Sequence, residues 1–381
     1  MSCWWVSAGG ATPTNAMNEQ EANTPETQVN QVMGTTPESI KLGMDVHANS
    51  IVVVRIFDHC PPQPAQRFTR EKFLHWVKKQ LPLAKKIYSC YEAGPLGYGL
   101  HRELTAMGII NFVTQPVCLD ERHKGVNHDK SDARELASRL DRYLAGNTRA
   151  MGVVRVPSPE EEQRREVSRQ REQIKREVHR IAAQGRGLLL AQGYRETGEW
   201  WGLVRWKVLS TRVPEWLRES LEVFTRVLKT LLQELKGLTE KLEQAATKER
   251  PRGMGGLTVE TVDREVGDWN RFKNRRQVGG YTGLCGGISA SGNTTQLLSI
   301  TKCGNVRLRT ALVELAWRFV VWQPNCPLVK KWNKVLVGPK TTRGAKKKAI
   351  VAIARQLAVD IWRWRTGRMK PEQLGWTMMT A

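Results

Sequence analysis

Short apolar, strand-like segments alternate with helical segments between residues 41 and 144 of this chain, and this alternation restricts the fold more than any other feature. Strands alternating with helices predict an α/β domain built on a central sheet. The predicted strands are residues 42–46, 51–57, 87–91 and 109–114. The predicted helices are residues 71–80, 96–107 and 131–144.

Residues 159–250 are predicted to be helical. Leucine and phenylalanine recur there in steps of three and four, which indicates the seam of a coiled coil or of a helical hairpin. The charged run 160–180 is predicted to be the solvated face of such a helix, with RNA contact as the alternative. The seam residues are Leu221, Phe224, Leu228, Leu231, Leu235, Leu238 and Leu242.

The chain has 381 residues, enough for two or three domains. Residues 1–40 are rich in Thr, Asn, Gln and Pro and contain no Lys or Arg, so they are predicted to be a disordered tail. The predicted domains are an α/β domain at 41–155, a helical coiled-coil region at 156–250 and a mostly helical C-terminal domain at 251–381.

The net charge of +23 points to a polyanionic partner, most simply nucleic acid. Residues 251–381 concentrate this charge, with 23 Lys or Arg residues against 7 Asp or Glu residues. The apolar runs are much shorter than the ~20 residues of a membrane span, so an integral membrane protein is not expected. Seven cysteines without a C-x-x-C pair, and no secretory signal, favour a reduced, cytoplasmic protein.

Four carboxylates fall at special positions of the predicted α/β domain. Asp45 lies within an apolar strand, Glu92 follows the end of another, and Asp129 and Asp132 share one face at the start of a helix. A charge in an apolar strand is costly unless it binds a partner, and α/β sheets place ligand chemistry at strand ends. Together the four acids can bind divalent cations that activate water or a hydroxyl against a phosphodiester. Each acid alone also fits an ordinary role, as a helix N-terminal acid or a salt-bridge partner.

A second candidate site is the glycine-rich stretch 286–293, which contains a Ser-Gly pair. It is predicted to be a flexible loop in which Ser291 presents an exposed hydroxyl. Lys302, Arg307 and Arg309 follow and are candidates to stabilise a phosphoryl group. All seven histidines lie in the first half of the chain. Activation of Ser291 would therefore need a metal, neighbouring Arg or Lys, or a group from another domain or subunit.

Residues 253–258 contain three glycines just before a predicted helix. The pattern is similar to a helix-hairpin-helix turn, in which backbone N–H groups meet a nucleic-acid phosphate. Arg275 and Arg276, in a basic segment downstream, are predicted nucleic-acid contacts. The lysine triplet 346–348 fits a phosphate contact and a solvated helix start equally well.

Residues 41–365 resemble a known family, the transposases of the insertion-sequence one-ten group in its eleven-eleven-like branch. These are DEDD transposases that act as bridge-RNA-guided recombinases. The matching motifs, in the order of the family, are an opening-strand Asp at 43–47, a Glu motif at 91–95, a paired-Asp motif at 129–137, a Ser-Gly at 291–292 and a basic motif at 300–309.

The resemblance implies a RuvC-like N-terminal domain of ribonuclease-H fold, a coiled-coil middle, and a C-terminal transposase domain with a helix-hairpin-helix-like element. It also implies that Asp45, Glu92, Asp129 and Asp132 bind Mg²⁺.

It implies further that a C-terminal serine attacks DNA and forms a covalent phosphoserine intermediate. Ser291 is the matching position and Ser289 the alternative. The partners implied are donor and target DNA, a bridge-type guide RNA, and further copies of the chain in a dimer or tetramer. In such an assembly the metal domain of one subunit meets the serine domain of another.

Two other functions stay open from the residues alone. The first is a metal-dependent, structure-selective DNA nuclease that uses only the carboxylates. The second is a basic nucleic-acid-binding scaffold, the inactive remnant of an element.

Overall fold

The computed structural model describes residues 36–116, 129–291 and 294–379. The chain forms two compact units, of which the first ends at Val156 and the second begins at Pro157. Of the predicted tail, residues 1–35 lie outside the described residues, and its predicted end is wrong because Ser39 and Ile40 belong to a strand. Within the described ranges, no helix has the length and apolar character needed to cross a membrane.

The described residues of the first unit are built on one five-stranded mixed sheet, which confirms the predicted α/β domain. The strands are β1 (Ser39–Val46), β2 (Ile51–Phe57), β3 (Gln66–Phe68), β4 (Lys86–Glu92) and β5 (Ile110–Thr114). Their order across the sheet is β3-β2-β1-β4-β5. β2 pairs antiparallel with β1 and β3, whereas β1 with β4 and β4 with β5 pair in parallel. The sequence missed β3, because three residues are too few for strand alternation to show.

In the described part of the first unit, three helices cover the two faces of this sheet. They are α1 (Arg70–Gln80), α2 (Gly99–Ala106) and α3 (Asp129–Leu144). Successive side chains of a strand point to opposite faces. On one face, Met44 of β1 clusters with Phe73 of α1 and Leu104 of α2. On the other face, Val54 of β2 clusters with Ala133 of α3.

Gly43 lets α3 approach β1 more closely than any side chain would allow. A Cβ atom at this position would lie less than 3.0 Å from backbone atoms of Ala133 and Ala137. Both alanines are fully buried. This close contact positions the first turn of α3 beside the carboxyl end of β1.

The second unit begins with α4 (Pro159–Ala191), α5 (Leu203–Leu209) and α6 (Glu215–Ala245). The long helices α4 and α6 pack against each other in opposite directions. Tyr194 donates a hydrogen bond to the carbonyl of Arg212 near the connection, and Arg171 donates to Thr239 farther along. The helical-hairpin interpretation of the leucine seam is thus confirmed within the chain, while a coiled coil between chains stays a prediction.

The rest of the second unit is mostly helical, as predicted. Its helices are α7 (Gly256–Val266), α8 (Arg275–Thr282), α9 (Val306–Trp322), α10 (Pro327–Val337) and α11 (Arg343–Arg365). α11 is the central helix and packs against α8, α9 and α10. Its Ile353 and Leu357 are fully buried. α7 packs against α6. These two helices flank the glycine stretch 253–258, where a helix-hairpin-helix-like element was predicted.

The prediction of a loop at residues 286–293 is wrong for residues 286–291, the part of this stretch before the gap in the described residues. Gly286–Ser291 is strand β6, and it pairs antiparallel with β7 (Thr294–Ile300) to form a hairpin. Glycine and serine have low strand propensity, so the composition of β6 conceals a strand that pairing with β7 stabilises.

Candidate active site

Asp45 and Glu92 lie at the same edge of the sheet, at the carboxyl ends of β1 and β4. The parallel register of the two strands places them at the same level. Gly43 and Cys90, two positions before them, both contact α3. Because strand side chains alternate, the two acids lie on the face that α3 covers.

The first turn of α3 adds two more acids at this edge. Asp129 is its first residue and Asp132 its fourth, so both lie on one side of the helix. Their negative charges each raise the pKa of Asp45, which places both within electrostatic reach of that carboxylate. The structure thus brings Asp45, Asp129 and Asp132 together, and strand register places Glu92 on the same face.

His47 is a member of this cluster that the sequence analysis missed as a functional residue. Its Nε2 lies 3.0 Å from Oδ2 of Asp45 and 3.7 Å from Oδ1 of Asp129. Its backbone N–H donates to the carbonyl of Ser50 in the turn between β1 and β2. The available signal was spacing, since residues i and i+2 at a strand end share one face.

Arg67 is the second missed residue, and it lies on the unpredicted strand β3. Its guanidinium donates a hydrogen bond to the carboxylate of Asp129 and another, 3.0 Å long, to the hydroxyl of Ser50. Arg67 therefore holds a positive charge directly against the first acid of α3.

These neighbours shift the two nearest carboxylates in opposite directions. Burial raises the pKa of Asp45, and the charges on Asp129 and Asp132 raise it further against the opposing effect of His47. The hydrogen bond and charge of Arg67 lower the pKa of Asp129. Adjacent acids with opposed shifts are typical of functional sites.

The donor atoms of this cluster fit a divalent cation. One ligand atom each from Asp45, His47 and Asp129 lie within 4.8 Å of one another. Carboxylate oxygens are the ligands that Mg²⁺ and Mn²⁺ prefer, whereas an imidazole nitrogen suits Zn²⁺. Arg67 already offsets part of the negative charge of these carboxylates, so a cation would compete with it for Asp129.

The candidate nucleophile lies in the second unit. The structure describes Ser291 through its backbone, which ends β6 opposite Thr294 of β7. Ser289 pairs with Gln296 two positions earlier on the same strand, and it is exposed. Gly292, which completes the Ser-Gly pair, lies outside the described residues.

The basic motif 300–309 forms the turn from β7 into α9. Asn305 caps α9 by accepting from the N–H of Leu308. Arg309 donates to the carbonyls of Thr282 and Lys302, at 3.2 and 3.1 Å. The guanidinium of Arg309 therefore has a structural role in joining α8 to this turn.

The other predicted nucleic-acid contacts differ in their surroundings. Arg307 is paired with Glu172 of α4, Nε to Oε2 at 2.6 Å, and is half-buried. Lys302 is exposed and adopts a positive φ of 57°. Arg275 and Arg276 are the first residues of α8 and are both exposed.

Comparison with known proteins finds relatives that are transposases. Residues 249–329 match the profile of the transposase IS116/IS110/IS902 family. A putative transposase of Sinorhizobium fredii, y4rJ, is 30% identical over 299 residues, which are 72% of this chain and 75% of the relative. The transposase for insertion sequence element IS1111A of Coxiella burnetii is 26% identical over 275 residues, covering 69% and 73% of the two chains. The extent of these matches shows that the chain belongs to the IS116/IS110/IS902 transposase family.

Proposed function

We propose that this transposase moves an insertion sequence by cutting and rejoining DNA through a covalent phosphoserine at Ser291, assisted by Mg²⁺ at the carboxylate cluster. The observation that carries the proposal is the convergence of Asp45, His47 and Asp129 at one sheet edge. In a chain of this family, such a cluster has a clear task in phosphodiester chemistry.

We propose in addition that the first unit is RuvC-like, with a ribonuclease-H fold. Its mixed sheet supports this, since an antiparallel β1-β2-β3 meander continues into the parallel strands β4 and β5. The candidate acids then come from β1, β4 and the first turn of α3.

Asp45 and Asp129 would hold the cation, with Asp132 and Glu92 completing the acidic edge. When bound, Mg²⁺ would supply Lewis-acid polarisation of a phosphodiester and stabilise developing negative charge. Arg67 has to share or release Asp129 in that state, because both cations compete for one carboxylate. His47 orients Asp45 through their 3.0 Å contact.

In the proposed step, the Oγ of Ser291 attacks phosphorus. A serine–phosphate bond forms, one bridging phosphorus–oxygen bond breaks, and the leaving strand ends in a hydroxyl that takes up a proton. The serine proton passes to a base or to solvent. Attack by the hydroxyl of another strand then reverses these changes, releases the serine and joins the new strands. The number of phosphodiester bonds is conserved, so no external energy source is needed.

The partners that we propose are donor and target DNA and an element-encoded guide RNA, bound by a dimer or tetramer of this chain. The concentration of positive charge in residues 251–381 supports nucleic-acid binding. Sequencing the RNA that co-purifies with the full chain, from cells carrying the element's flanking DNA, tests the guide. One discrete RNA is expected, and a salt-removable smear of cellular RNA would contradict it.

Covalent trapping tests the chemistry. Full-length protein with Mg²⁺ and plasmid DNA carrying the element ends is expected to give an adduct that survives denaturing electrophoresis. Ser291→Ala and Asp45→Asn are expected to abolish it, and Ser289→Ala serves as the matched control. If Ser291→Ala still cuts DNA at the full rate, the nuclease alternative replaces the recombinase. If Ser289→Ala alone loses the adduct, Ser289 is the nucleophile.

A further inference from the structure

The second unit contains a large cavity that the proposed chemistry does not use. Its volume is about 1090 Å³, slightly above the usual range for small-molecule sites. The walls are the open end of the β6–β7 hairpin, the start of α8, and one side each of α10 and α11. About five residues of β6 separate Gly286, in the wall, from Ser291, or roughly 17 Å along the strand. The cavity is thus separate from the candidate nucleophile.

Positive charge dominates the lining. Among the described residues, seven cationic side chains line the cavity, and Asp360 is the one acid in its wall. Asp360 is buried, and it already accepts hydrogen bonds from Gln356 and from Arg363, one of the seven. The other six cations are Arg275, Arg276, Lys331, Lys347, Lys348 and Arg355.

Among the residues that the structure describes, these six cations have no carboxylate partner. No Asp or Glu in the described part of the chain lies within 4.0 Å of any of their charged nitrogen atoms. Like charges gathered around one concave surface repel one another and raise the local concentration of anions. The charge pattern therefore favours an anionic ligand with several charges spread over the cavity.

One wall is apolar and carries an aromatic ring. Trp332 of α10 lies in the wall, partly buried against the core, beside Leu328 and Val351. A tryptophan face bordered by aliphatic side chains is a stacking surface for a nucleobase. Cations together with an aromatic surface suit a ligand that carries both phosphates and bases, such as an unpaired strand.

We propose that this cavity binds unpaired nucleotides of a single-stranded nucleic acid, with phosphates at the lysines and arginines and a base against Trp332. A cavity of small-ligand size has no room for a double helix, whereas an extruded or unpaired nucleotide fits a pocket of this kind. This inference rests on the proposed function only in assuming that the protein works on nucleic acid. Single-stranded DNA and RNA both offer the phosphates and bases that the cavity would bind.

The test uses the full chain and oligonucleotides that carry one 2-aminopurine base, in EDTA so that no cleavage occurs. Stacking on Trp332 is expected to quench the fluorescence of the single-stranded probe and not of the matching duplex. Trp332→Ala is expected to lose the quenching, while Trp332→Phe retains most of it. The exposed Trp317→Ala, which lies outside the cavity, serves as the control.

A charge-matched pair of variants tests the phosphate contacts. Lys347→Gln with Lys348→Gln is expected to weaken single-strand binding at least about tenfold, as the loss of one charged hydrogen bond predicts. Lys229→Gln with Lys241→Gln removes the same charge from the exposed surface of α6 and is expected to change affinity less than about twofold. Thermal unfolding of all variants checks that the fold is retained.

Quenching of the DNA probe alone, the RNA probe alone or both identifies the strand and supports the proposal. Equal weakening by the two lysine pairs, or quenching that survives Trp332→Ala, overturns it. A protein that binds and quenches but never forms the Ser291 adduct would overturn the proposed chemistry and leave this site intact.

Discussion

Gly43 shows how one residue without a side chain positions a whole site. The backbone of α3 occupies the space that a Cβ at residue 43 would need. The first turn of α3 therefore stands beside Asp45, and Asp129 and Asp132 come within electrostatic reach of it. A side chain at residue 43 would push α3 away and so displace Asp129 and Asp132, although it would contact neither acid.

Gly43→Ala is expected to destabilise the first unit by about 1–3 kcal/mol, because the added methyl group overpacks a fully buried contact. It is also expected to weaken Mg²⁺ binding by displacing Asp129. Denaturant unfolding and calorimetry measure the two effects. Gly99→Ala is the control, since its Cβ would meet only a flexible arginine side chain at 3.4 Å. Unchanged stability in Gly43→Ala would show that α3 can move away without cost.

Arg67 competes with a metal ion for Asp129, and its removal tests that competition. Arg67→Met is expected to raise Mg²⁺ affinity several-fold, because it frees one carboxylate and removes a nearby positive charge. Arg70→Met removes the same charge from an ion pair with Glu103 outside the cluster, and little change is expected. Titration calorimetry gives both affinities. A fall in affinity would instead mean that Arg67 holds Asp129 in its binding position.

At the scale of elements, one buried carboxylate joins three helices of the second unit. Glu265 of α7 is fully buried and accepts two 3.0 Å hydrogen bonds from Arg169 of α4. It accepts a third, 2.8 Å long, from Asn305 at the start of α9. Burial raises the pKa of Glu265, but Arg169, Asn305 and the charge of Arg307 together lower it below the ordinary 4.5.

Because the folded-state pKa of Glu265 is depressed, its stabilising effect is present above pH 4.5 and is lost as pH falls through the folded value. Glu265→Gln is expected to lower the free energy of unfolding near pH 7 by about 2 kcal/mol. In the variant, the free energy of unfolding is also expected to fall less as the pH is lowered, because Glu265 no longer titrates. Thermal unfolding between about pH 7 and pH 3.5 measures both effects.

The control for this prediction is Glu222→Gln on α6. The side chain of Glu222 is 44% exposed and lies 3.8 Å from Arg218, a type of pair that contributes little to stability. Parallel acid profiles for wild type and Glu265→Gln would show that the charge of Glu265 does not stabilise the fold.

At the scale of the whole molecule, charge is distributed unevenly. The net charge is +23, and residues 251–381 carry most of the excess. The first unit presents an acidic sheet edge, and the second a basic cavity and basic helix starts. This division agrees with the proposed function, in which the second unit binds the nucleic-acid backbone and carboxylates of the first assist phosphodiester chemistry.

The charge predicts strongly salt-dependent binding. If the full chain neutralises about 6–10 phosphates, its affinity for duplex DNA is expected to fall roughly 10³–10⁵-fold between about 50 and 200 mM salt. Fluorescence anisotropy across this range measures the slope. Asp45→Asn should give the same slope, because it changes the acidic edge only. A flat dependence would show that contacts other than phosphate pairing dominate.

Much of the fold was predictable from local pattern. The strand segments around Asp45 and Glu92, the helix that begins near Asp129 and the helices of residues 159–250 follow from apolar periodicity and capping, which are properties of neighbouring residues. Strand β6 was not predictable in this way, because its glycines and serines obscure a strand that pairing with β7 stabilises.

The sequence by itself determined the α/β class of the first unit, the helical character of the second, the excess of positive charge and the candidate acids, since these depend on residue type and short-range spacing. Only the tertiary structure decided that His47 reaches Asp129, that Arg67 binds Asp129 from 62 positions away, and that six cations with no carboxylate partner among the described residues surround one cavity with Trp332. These arrangements join residues that are distant in the chain. Close packing, such as that of α3 on Gly43, brings them together, and no local pattern records it.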